Sequence, residues 1–251
     1  MSHQRKHNTG YILRICGIAA LGGILFGYDT AVISGAIEAL KTYFDLSPAE
    51  TGWAVSNVVI GCVVGAFGAG PLAGRYGRKK ALVVAAFLFT VSAVGAALAT
   101  TFTWFVIYRI IGGLAVGLAA TVSPMYMSEV SPKDMRGRAL SMQQFAIVFG
   151  QIVIFYVNFK IASYASEAWL VEMGWRWMIG SEVIPCLLFT ALVFVIPESP
   201  RWSVMVGRDD QALAMLTRVS NAEHAKSLLR EIKESLRQAT YAYASSCLSA
   251  V

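Results

Sequence analysis

Six long apolar segments, separated by short polar connections, dominate the pattern of residues along this chain. Each segment is close to the roughly 20 residues that a helix needs to cross the apolar core of a bilayer. The first is longer than the apolar part of a signal peptide and has no clear cleavage site after it, so we expect it to remain as a span. The pattern predicts six transmembrane helices, at approximately residues 11–34, 52–73, 81–100, 104–125, 139–161 and 175–196.

A different pattern follows the sixth segment. Pro197 stops the last span, and residues 209–237 alternate charged and apolar side chains at roughly helical spacing. This spacing predicts two or three short amphipathic helices beneath the bundle. The ending "YAYASSCLSAV" loses the pattern, so we expect it to be unstructured. The predicted regions are the N-terminus (1–10), the bundle (11–196), a helical linker region (197–238) and a tail (239–251).

Basic residues concentrate in alternate connections, which sets the orientation of the spans. The N-terminus, the second connection and the fourth connection are basic, whereas the others are neutral or mixed. We therefore expect a multi-pass protein of the cell inner membrane with both termini in the cytoplasm. The basic residues that decide this are Arg5, Lys6, Arg14, Arg75, Arg78, Lys79, Lys80, Lys133, Arg136 and Arg138.

Composition supports the membrane assignment and limits the other classes of function. Of the 251 residues 56% are hydrophobic and 14% charged, and the mean hydropathy is +0.58. These values are typical of a protein whose main partner is the lipid bilayer, so the net charge of +6 reflects membrane sidedness and we expect no nucleic acid. Neither His nor Cys residues show the spacing of metal ligands, and we predict no metal and no cofactor.

An enzyme is the weakest of the possible classes. The stretch "GRYGRKK" superficially resembles a phosphate-binding loop, but it lacks that motif's spacing and connects two predicted membrane helices. No nucleophile stands beside a general base. We therefore predict that the chain is not an enzyme.

Glycines spaced four residues apart occur in three of the spans. In a bilayer, small residues at this spacing let helix backbones approach closely. We interpret them as packing positions that indicate a tight bundle and no activity. The pairs are Gly23 with Gly27, Gly61 with Gly65, and Gly113 with Gly117.

Three ionisable residues fall well inside predicted spans: Asp29, Arg109 and Glu182. Each costs about 2.5 to 3.5 kcal/mol at the centre of a bilayer on insertion scales, so such residues are usually functional or paired. Asp29 and Arg109 have opposite charges and are able to pair across the first and fourth helices. The pair is either a static structural contact or a switch in which a proton competes with the arginine. For Glu182 a proton-linked role and a structural role both stay open.

Polar and aromatic residues near these charges are candidates for binding a ligand. Gln144 and Gln151 are two helical turns apart and share one face of the fifth span. Their amides donate and accept hydrogen bonds, as a neutral polyhydroxylated ligand requires, although hydrogen bonds between helices would explain them equally. Phe26, one turn before Asp29, is placed to stack on a sugar ring or simply to pack. Gln143 points to a different face.

Several long stretches, taken in order, resemble the sugar porters of the major facilitator superfamily, and among these the bacterial D-xylose:proton symporters. They are "LGGILFGYDTAVISG", "GRYGRKK", "FVIYRIIGGLAVGLA", "SPMYMSEVSPKDMRGRALSMQQFAIVFGQ", "GWRWMIGSEVIPCLLF" and "PESPRW". The resemblance implies an all-α fold of two six-helix halves, each an inverted 3+3 repeat, with the sugar held at the midplane. It also implies transport of a monosaccharide and a proton by alternating access.

The resemblance implies roles for the residues within the spans. Asp29 matches a proton-coupling aspartate, Arg109 its arginine partner, and Glu182 a carboxylate linked to coupling. Phe26 and Gln144 match sugar contacts, and Gln151 lies near them. Facilitative uniporters of similar sequence carry asparagine where this chain has Asp29, so the aspartate favours symport.

A second set of residues matches charges that tie helix ends together when the inner gate of the family is shut. A solvated, positive cytoplasmic surface is the alternative interpretation of these residues. We favour a network that breaks as the gate opens, because it would give two conformations different energies. The residues are Arg78, Glu129, Arg136, Glu198 and Arg201.

Two departures from the family pattern limit these expectations. The usual superfamily signature has an acidic residue where this chain has Gly74. Family members carry six further spans, and we expect the missing C-terminal half to be required for transport. The alternatives to symport are therefore a truncated, non-transporting membrane fragment and a facilitative sugar uniporter.

Overall fold

The structure is a computed structural model that describes residues 7–164 and 166–248, and every long regular element within them is a helix. Five long helices come first: α1 (Thr9–Tyr43), α2 (Pro48–Tyr76), α3 (Arg78–Ala97), α4 (Phe102–Val130) and α5 (Arg136–Tyr164). A sixth, broken segment contains α6 (Glu167–Trp169), a π-helical turn (Leu170–Gly174), α7 (Trp175–Gly180) and α8 (Val183–Val193). The chain continues with α9 (Pro200–Met205), α10 (Asp209–Val219) and α11 (Ala222–Leu248).

Six helical segments in the described part of the chain are long and apolar enough to cross a membrane, the sixth being Glu167–Val193. This confirms the prediction of an all-α, six-span protein, with changes at the boundaries. The first helix continues past Ser34 to Tyr43, because Ala36 and Leu40 stay buried in the bundle. The sixth segment begins eight residues earlier than predicted, where Ser166 caps its first turn.

The region after the sixth segment differs from the prediction. The expected short helices are represented by α10, but α11 is 27 residues long and continues to Leu248. The expectation of an unstructured tail is therefore corrected for residues 239–248. The physical reason is that the sequence of α11 contains no glycine or proline that would end a helix. Residues 249–251 of the expected tail, and residues 1–6 of the N-terminus, lie outside the described residues.

Local capping explains where the second helix begins and ends. Ser47 and Glu50 form a capping box, in which each side chain accepts a hydrogen bond from the other residue's backbone N–H, and Pro48 occupies the first helical position. Gly77 separates α2 from α3 with a φ of 103°, a conformation that residues with a Cβ rarely adopt. The two helices therefore meet at a tight turn on the side that the charge pattern assigns to the cytoplasm.

Glycines allow close contacts between helix backbones in the bundle, as the sequence predicted. A Cβ on Gly27 of α1 would lie 1.9 Å from the carbonyl oxygen of Ile147 on α5. A Cβ on Gly61 of α2 would lie 2.1 Å from the carbonyl oxygen of Ile110 on α4, and Gly113 returns this contact from α4. The α1–α5 and α2–α4 backbones therefore approach to distances that only glycine permits.

At the opposite end of the bundle, Arg176 ties three elements together. Its Nη1 donates to the carbonyl oxygens of Ala97 (3.0 Å) and Ala99 (2.7 Å), and its Nη2 donates to the Tyr43 hydroxyl (2.9 Å). A cation beside the last carbonyls of α3 is favourable for the helix dipole. The ends of α1, α3 and the sixth segment are thereby held together.

Candidate functional site

Asp29 on α1 and Arg109 on α4 form an ion pair inside the bundle. Arg109 Nη1 donates to Asp29 Oδ1 at 2.6 Å and to the Asp29 backbone carbonyl at 3.3 Å. Both side chains are only 2% exposed. Gly112 on α4 lies beside the carboxylate, and a Cβ there would meet the hydroxyl of Ser92 on α3. The predicted pairing across these helices is therefore present, and the role of Asp29 in proton coupling stays a prediction.

This ion pair is only partly satisfied. No group among the described residues forms a hydrogen bond with Asp29 Oδ2 or with Arg109 Nε and Nη2, although all three atoms are buried. Arginine–carboxylate pairs frequently make two parallel hydrogen bonds, which are stronger and more specific than one. The geometry therefore fixes Asp29 to Arg109 less firmly than a bidentate pair would.

Glu182 brings a second carboxyl near this pair. It lies between α7 and α8 and is 2% exposed. The Glu182 carboxyl is within electrostatic range of both Asp29 and Arg109. Two carboxyls and one guanidinium thus share one buried region, so a change of charge on any one of them changes the energy of the others.

The three candidate sugar contacts lie where α1 meets α5. Phe26 is half-buried, Gln144 is exposed and Gln151 is half-buried. A Cβ on Gly27 would lie 3.1 Å from the backbone nitrogen of Gln151, so the two helices touch at this level. Gln143, in contrast, is buried between α1 and α5. The structure thus separates the faces of the neighbouring glutamines, as expected, and the sugar contacts remain predictions.

At the end of the bundle that the charge pattern assigns to the cytoplasm, Arg78 and Glu129 form a second ion pair. Arg78 Nη2 donates to Glu129 Oε1 at 2.8 Å, and Arg78 Nη1 donates to the carbonyl oxygen of Ala73 at 3.2 Å. The hydroxyl of Ser199 donates to the other carboxylate oxygen of Glu129. The start of α3, the end of α4 and the start of α9 are connected through these side chains.

Glu198 occupies the N-terminus of α3. Its Oε1 accepts from the backbone nitrogens of Lys79 (3.0 Å) and Ser199 (2.9 Å). A carboxylate is favourable here because the first N–H groups of a helix are unpaired and carry partial positive charge. A Cβ on Gly77 would meet Glu198 Oε2, so the glycine also makes room for the carboxylate.

Arg136 and Arg201 lie apart from these contacts. Both side chains are exposed, and neither forms an ion pair within residues 7–164 and 166–248. Arg136 Nε donates to the carbonyl oxygen of Ser131 at 3.4 Å. Both arginines line, with Glu129, a cavity of about 520 Å³ between the α4–α5 connection, α9 and α11. The five predicted gate residues therefore divide into a bonded group of three and an exposed pair.

The described side chains offer a metal ion no obvious place to bind. Across residues 7–164 and 166–248, no group of three or more His, Cys, Asp and Glu residues is arranged to hold one. Cys16, Cys62 and Cys186 are free thiols. The chemistry that the site offers is that of carboxyl, guanidinium, amide and hydroxyl groups.

Comparison with known proteins relates this arrangement to one family. A family model described as "Sugar (and other) transporter" matches residues 15–249, which is most of the chain. The chain belongs to the sugar transporter family. Its relatives are transporters, in agreement with the prediction that it is not an enzyme.

Individual members of the sugar transporter family are similar to this chain over nearly its whole length. It is 42% identical to the D-xylose-proton symporter of Escherichia coli K12, covering 92% of this chain and 52% of the relative. It is 40% identical to the arabinose-proton symporter of Bacillus subtilis 168, covering 93% and 50%. A solved structure of a proton:xylose symporter bound to 6-bromo-6-deoxy-D-glucose superimposes with a TM-score of 0.92 at 41% identity, covering 97% and 57%. The chain spans about half the length of the curated relatives it matches, and its fold is half of a major facilitator fold.

Three residues whose hydroxyl groups form hydrogen bonds beside the candidate site were not predicted from the sequence: Tyr28, Ser181 and Ser199. Ser199 bridges to Glu129, and the Tyr28 hydroxyl lies 2.7 Å from Ser181 Oγ. Each of the three is adjacent in sequence to a residue already selected for its charge. That adjacency does not predict the contacts, because they join positions that are 70 and 153 residues apart.

Proposed function

We propose that the chain supplies the proton-coupling half of a monosaccharide:proton symporter that works by alternating access. The observation that carries this proposal is the buried pair of Asp29 and Arg109, whose side-chain atoms approach to 2.6 Å. The relatives named as proton symporters for D-xylose and arabinose support a D-xylose-like pentose or a hexose as substrate.

The mechanism begins with a proton that reaches Asp29. Neutralising the carboxylate removes most of its attraction for Arg109, so the contact between α1 and α4 loosens. The outward-facing form then binds sugar through Phe26, Gln144 and groups of a second half, with Gln151 nearby. Sugar and proton together make the inward-facing form accessible, and loss of the proton to the cytoplasm restores the pair.

Contacts at the proposed cytoplasmic end of the bundle control the inner gate in this mechanism. In the proposed mechanism Arg78, Glu129 and Glu198 hold the helix ends together while the inner gate is closed. Arg136 and Arg201, exposed beside the same cavity, are available to groups of a second half. Opening the gate breaks these contacts, so the two conformations differ in energy and a ligand is able to shift their populations.

We place both ends of the chain on the cytoplasmic side of the cell inner membrane. The basic connections favour this orientation. The start of α1 also lies against the linker helices, because the backbone nitrogen of Asn8 donates to the carbonyl oxygen of Val219 at 2.7 Å. Labelling of single cysteines introduced at exposed positions of α11 should occur from the cytoplasmic side only, and labelling from outside would contradict the placement.

The proposal is tested by replacing Asp29 with asparagine in a protein that contains both halves. We suggest fusing this chain to the second half of the D-xylose-proton symporter and reconstituting the fusion in vesicles. Asp29→Asn should abolish uphill uptake driven by a pH gradient and leave counterflow of labelled pentoses and hexoses intact. Retained uphill uptake would refute the role of Asp29, and uptake that never responds to pH would favour a uniporter.

A second candidate is a membrane fragment that does not transport by itself. The observation that favours it is that the chain covers about half of its relatives. Counterflow in vesicles that contain only this chain distinguishes the candidates. Sugar-specific flux would exclude the fragment, whereas flux by the fusion and none by the chain alone would show that a second half is required.

A further inference from the structure

The sixth segment is interrupted at Ser181 and Glu182, between α7 and α8. Pro185 explains the position of the break, because proline has no N–H and its ring crowds the carbonyl four residues earlier, here that of Ser181. The Ser181 carbonyl oxygen accepts instead from the backbone nitrogen of Ile184 at 3.3 Å. Glu182 therefore sits at a break between two helices whose cause lies in the sequence.

Tyr28 reaches this break from α1. Its hydroxyl lies 2.7 Å from Ser181 Oγ, and Ser181 Oγ donates its own proton to the carbonyl oxygen of Met178. The tyrosine hydroxyl is therefore the donor to Ser181. Tyr28 is 3% exposed, and a buried hydrogen bond is electrostatically stronger than the same bond in water. The bond fixes α1 to the break in the sixth segment.

The two members of this bond immediately precede the two buried carboxyls. Tyr28 comes before Asp29, and Ser181 comes before Glu182. The same turn of α1 is thus held on one side by Arg109 of α4 and on another by Ser181. When the contact with Arg109 loosens, a displacement of α1 acts directly on the residue beside Glu182.

We propose that Tyr28 and Ser181 are positioning residues, whose hydrogen bond transmits movement of the Asp29 segment to the break that carries Glu182. The inference rests on the proposed function, because it assigns the hydroxyl pair to coupling between proton and sugar. Neither residue needs to touch the sugar or the proton. Within the described part of the chain, the charged and titratable groups that interact electrostatically with Asp29 or Tyr28 are Arg109 on α4, Cys62 on α2, and Glu182 and Cys186 on the sixth segment.

The first test uses the fusion described above. Tyr28→Phe and Ser181→Ala should each lower sugar accumulation in a pH gradient about fivefold, as expected for a residue on a coupling route, and shift its pH profile. Counterflow should stay near that of the parent fusion. The double variant should be no worse than either single variant, because both remove the same bond. Ser181→Thr keeps the hydroxyl and should restore the parent pH profile.

Tyr126→Phe is the matched control. It deletes the same oxygen from another fully buried tyrosine, which donates to the carbonyl oxygen of Pro197 at 3.0 Å. It should leave the pH profile unchanged even if it lowers stability. A parent-like profile in both Tyr28→Phe and Ser181→Ala, or additive losses in the double variant, would overturn the proposal.

A second test needs no transport and uses the chain itself. Infrared spectra recorded against pH in detergent follow the carbonyl band of the protonated Glu182 carboxyl, identified by its loss in Glu182→Gln. Asp29→Asn should shift the midpoint of that band, and Tyr28→Phe should reduce this shift about twofold by weakening the coupling. An unchanged shift would overturn the inference even if the fusion transports sugar. A reduced shift in a fusion without sugar flux would support the inference while refuting the proposed function.

Discussion

Replacing Arg109 with methionine should strongly destabilise the protein. The substitution removes the guanidinium but keeps an unbranched side chain in its place, so the main loss is the partner of Asp29. Both side chains are 2% exposed, so water cannot replace the arginine. Removing one partner of a buried ion pair costs about 3 to 5 kcal/mol, because the other charge is left uncompensated.

That cost corresponds to a measurable change in thermal stability. For a chain of this size, 1 kcal/mol shifts Tm by about 2 to 4 °C, so Arg109→Met should lower Tm by about 6 to 20 °C. The assay is thermal unfolding of the purified chain in detergent, followed by circular dichroism. The control is Arg75→Met, which replaces an exposed arginine in the last turn of α2. It should change the unfolding free energy by about 0.5 kcal/mol or less.

The double variant Asp29→Asn, Arg109→Met decides whether the loss comes from charge. Replacing both charged groups removes the uncompensated carboxylate, so the double variant should be more stable than Arg109→Met. Equal Tm values for Arg109→Met and the unsubstituted chain would show that the buried carboxylate of Asp29 does not need Arg109 to compensate its charge. A double variant that loses the sum of the single effects would show that Arg109 acts through packing.

Two further substitutions test the packing of α1 against α5 and the contact between Arg78 and Glu129. Gly27→Ala places a Cβ 1.9 Å from a backbone oxygen of α5 and should lower the unfolding free energy by about 3 kcal/mol. The control Gly17→Ala places a Cβ that meets no atom within 4 Å and should leave the unfolding free energy unchanged. Equal thermal stability of the two variants would contradict the contact between α1 and α5. Arg78→Ala leaves Glu129 without its cation and should cost about 2 kcal/mol and speed hydrogen exchange at the start of α3, while Arg75→Ala should do neither.

The features that sequence predicted well are those that the bilayer dictates. Spans, buried charges and close-packing glycines follow from the energy of placing each residue type in an apolar medium, so Asp29, Arg109 and Gly27 were recognisable before any contact was known. Span ends were less predictable, because α1 continues as far as its side chains stay buried, and burial depends on neighbouring helices. The length of α11 was underestimated because loss of amphipathic pattern is not a signal that a helix ends.

Contacts made by uncharged serine and tyrosine side chains could not be predicted from the sequence pattern. A serine or tyrosine in an apolar segment is common, so neither Ser199 nor Tyr28 was distinguishable by type. Their importance arises from partners brought together by the fold, Glu129 for the first and Ser181 for the second. Pro185 did carry a signal, since its effect on the carbonyl of Ser181 follows from covalent geometry.

The two side chains of Asp29 and Arg109 share one hydrogen bond, and this helps to choose between a static pair and a switch. An ion pair that only stabilises the fold contributes most when all of its buried polar atoms form hydrogen bonds. Charged groups without such bonds lose their hydration with no compensation. Here Asp29 Oδ2 and two nitrogens of Arg109 are buried without a partner among the described residues. Such a pair opens at lower cost than a bidentate one, and it leaves one carboxylate oxygen free of the arginine to accept a proton. The incomplete bonding therefore supports a switch, and the Tm of Arg109→Met relative to the double variant measures how much the charge of Asp29 costs when it has no partner.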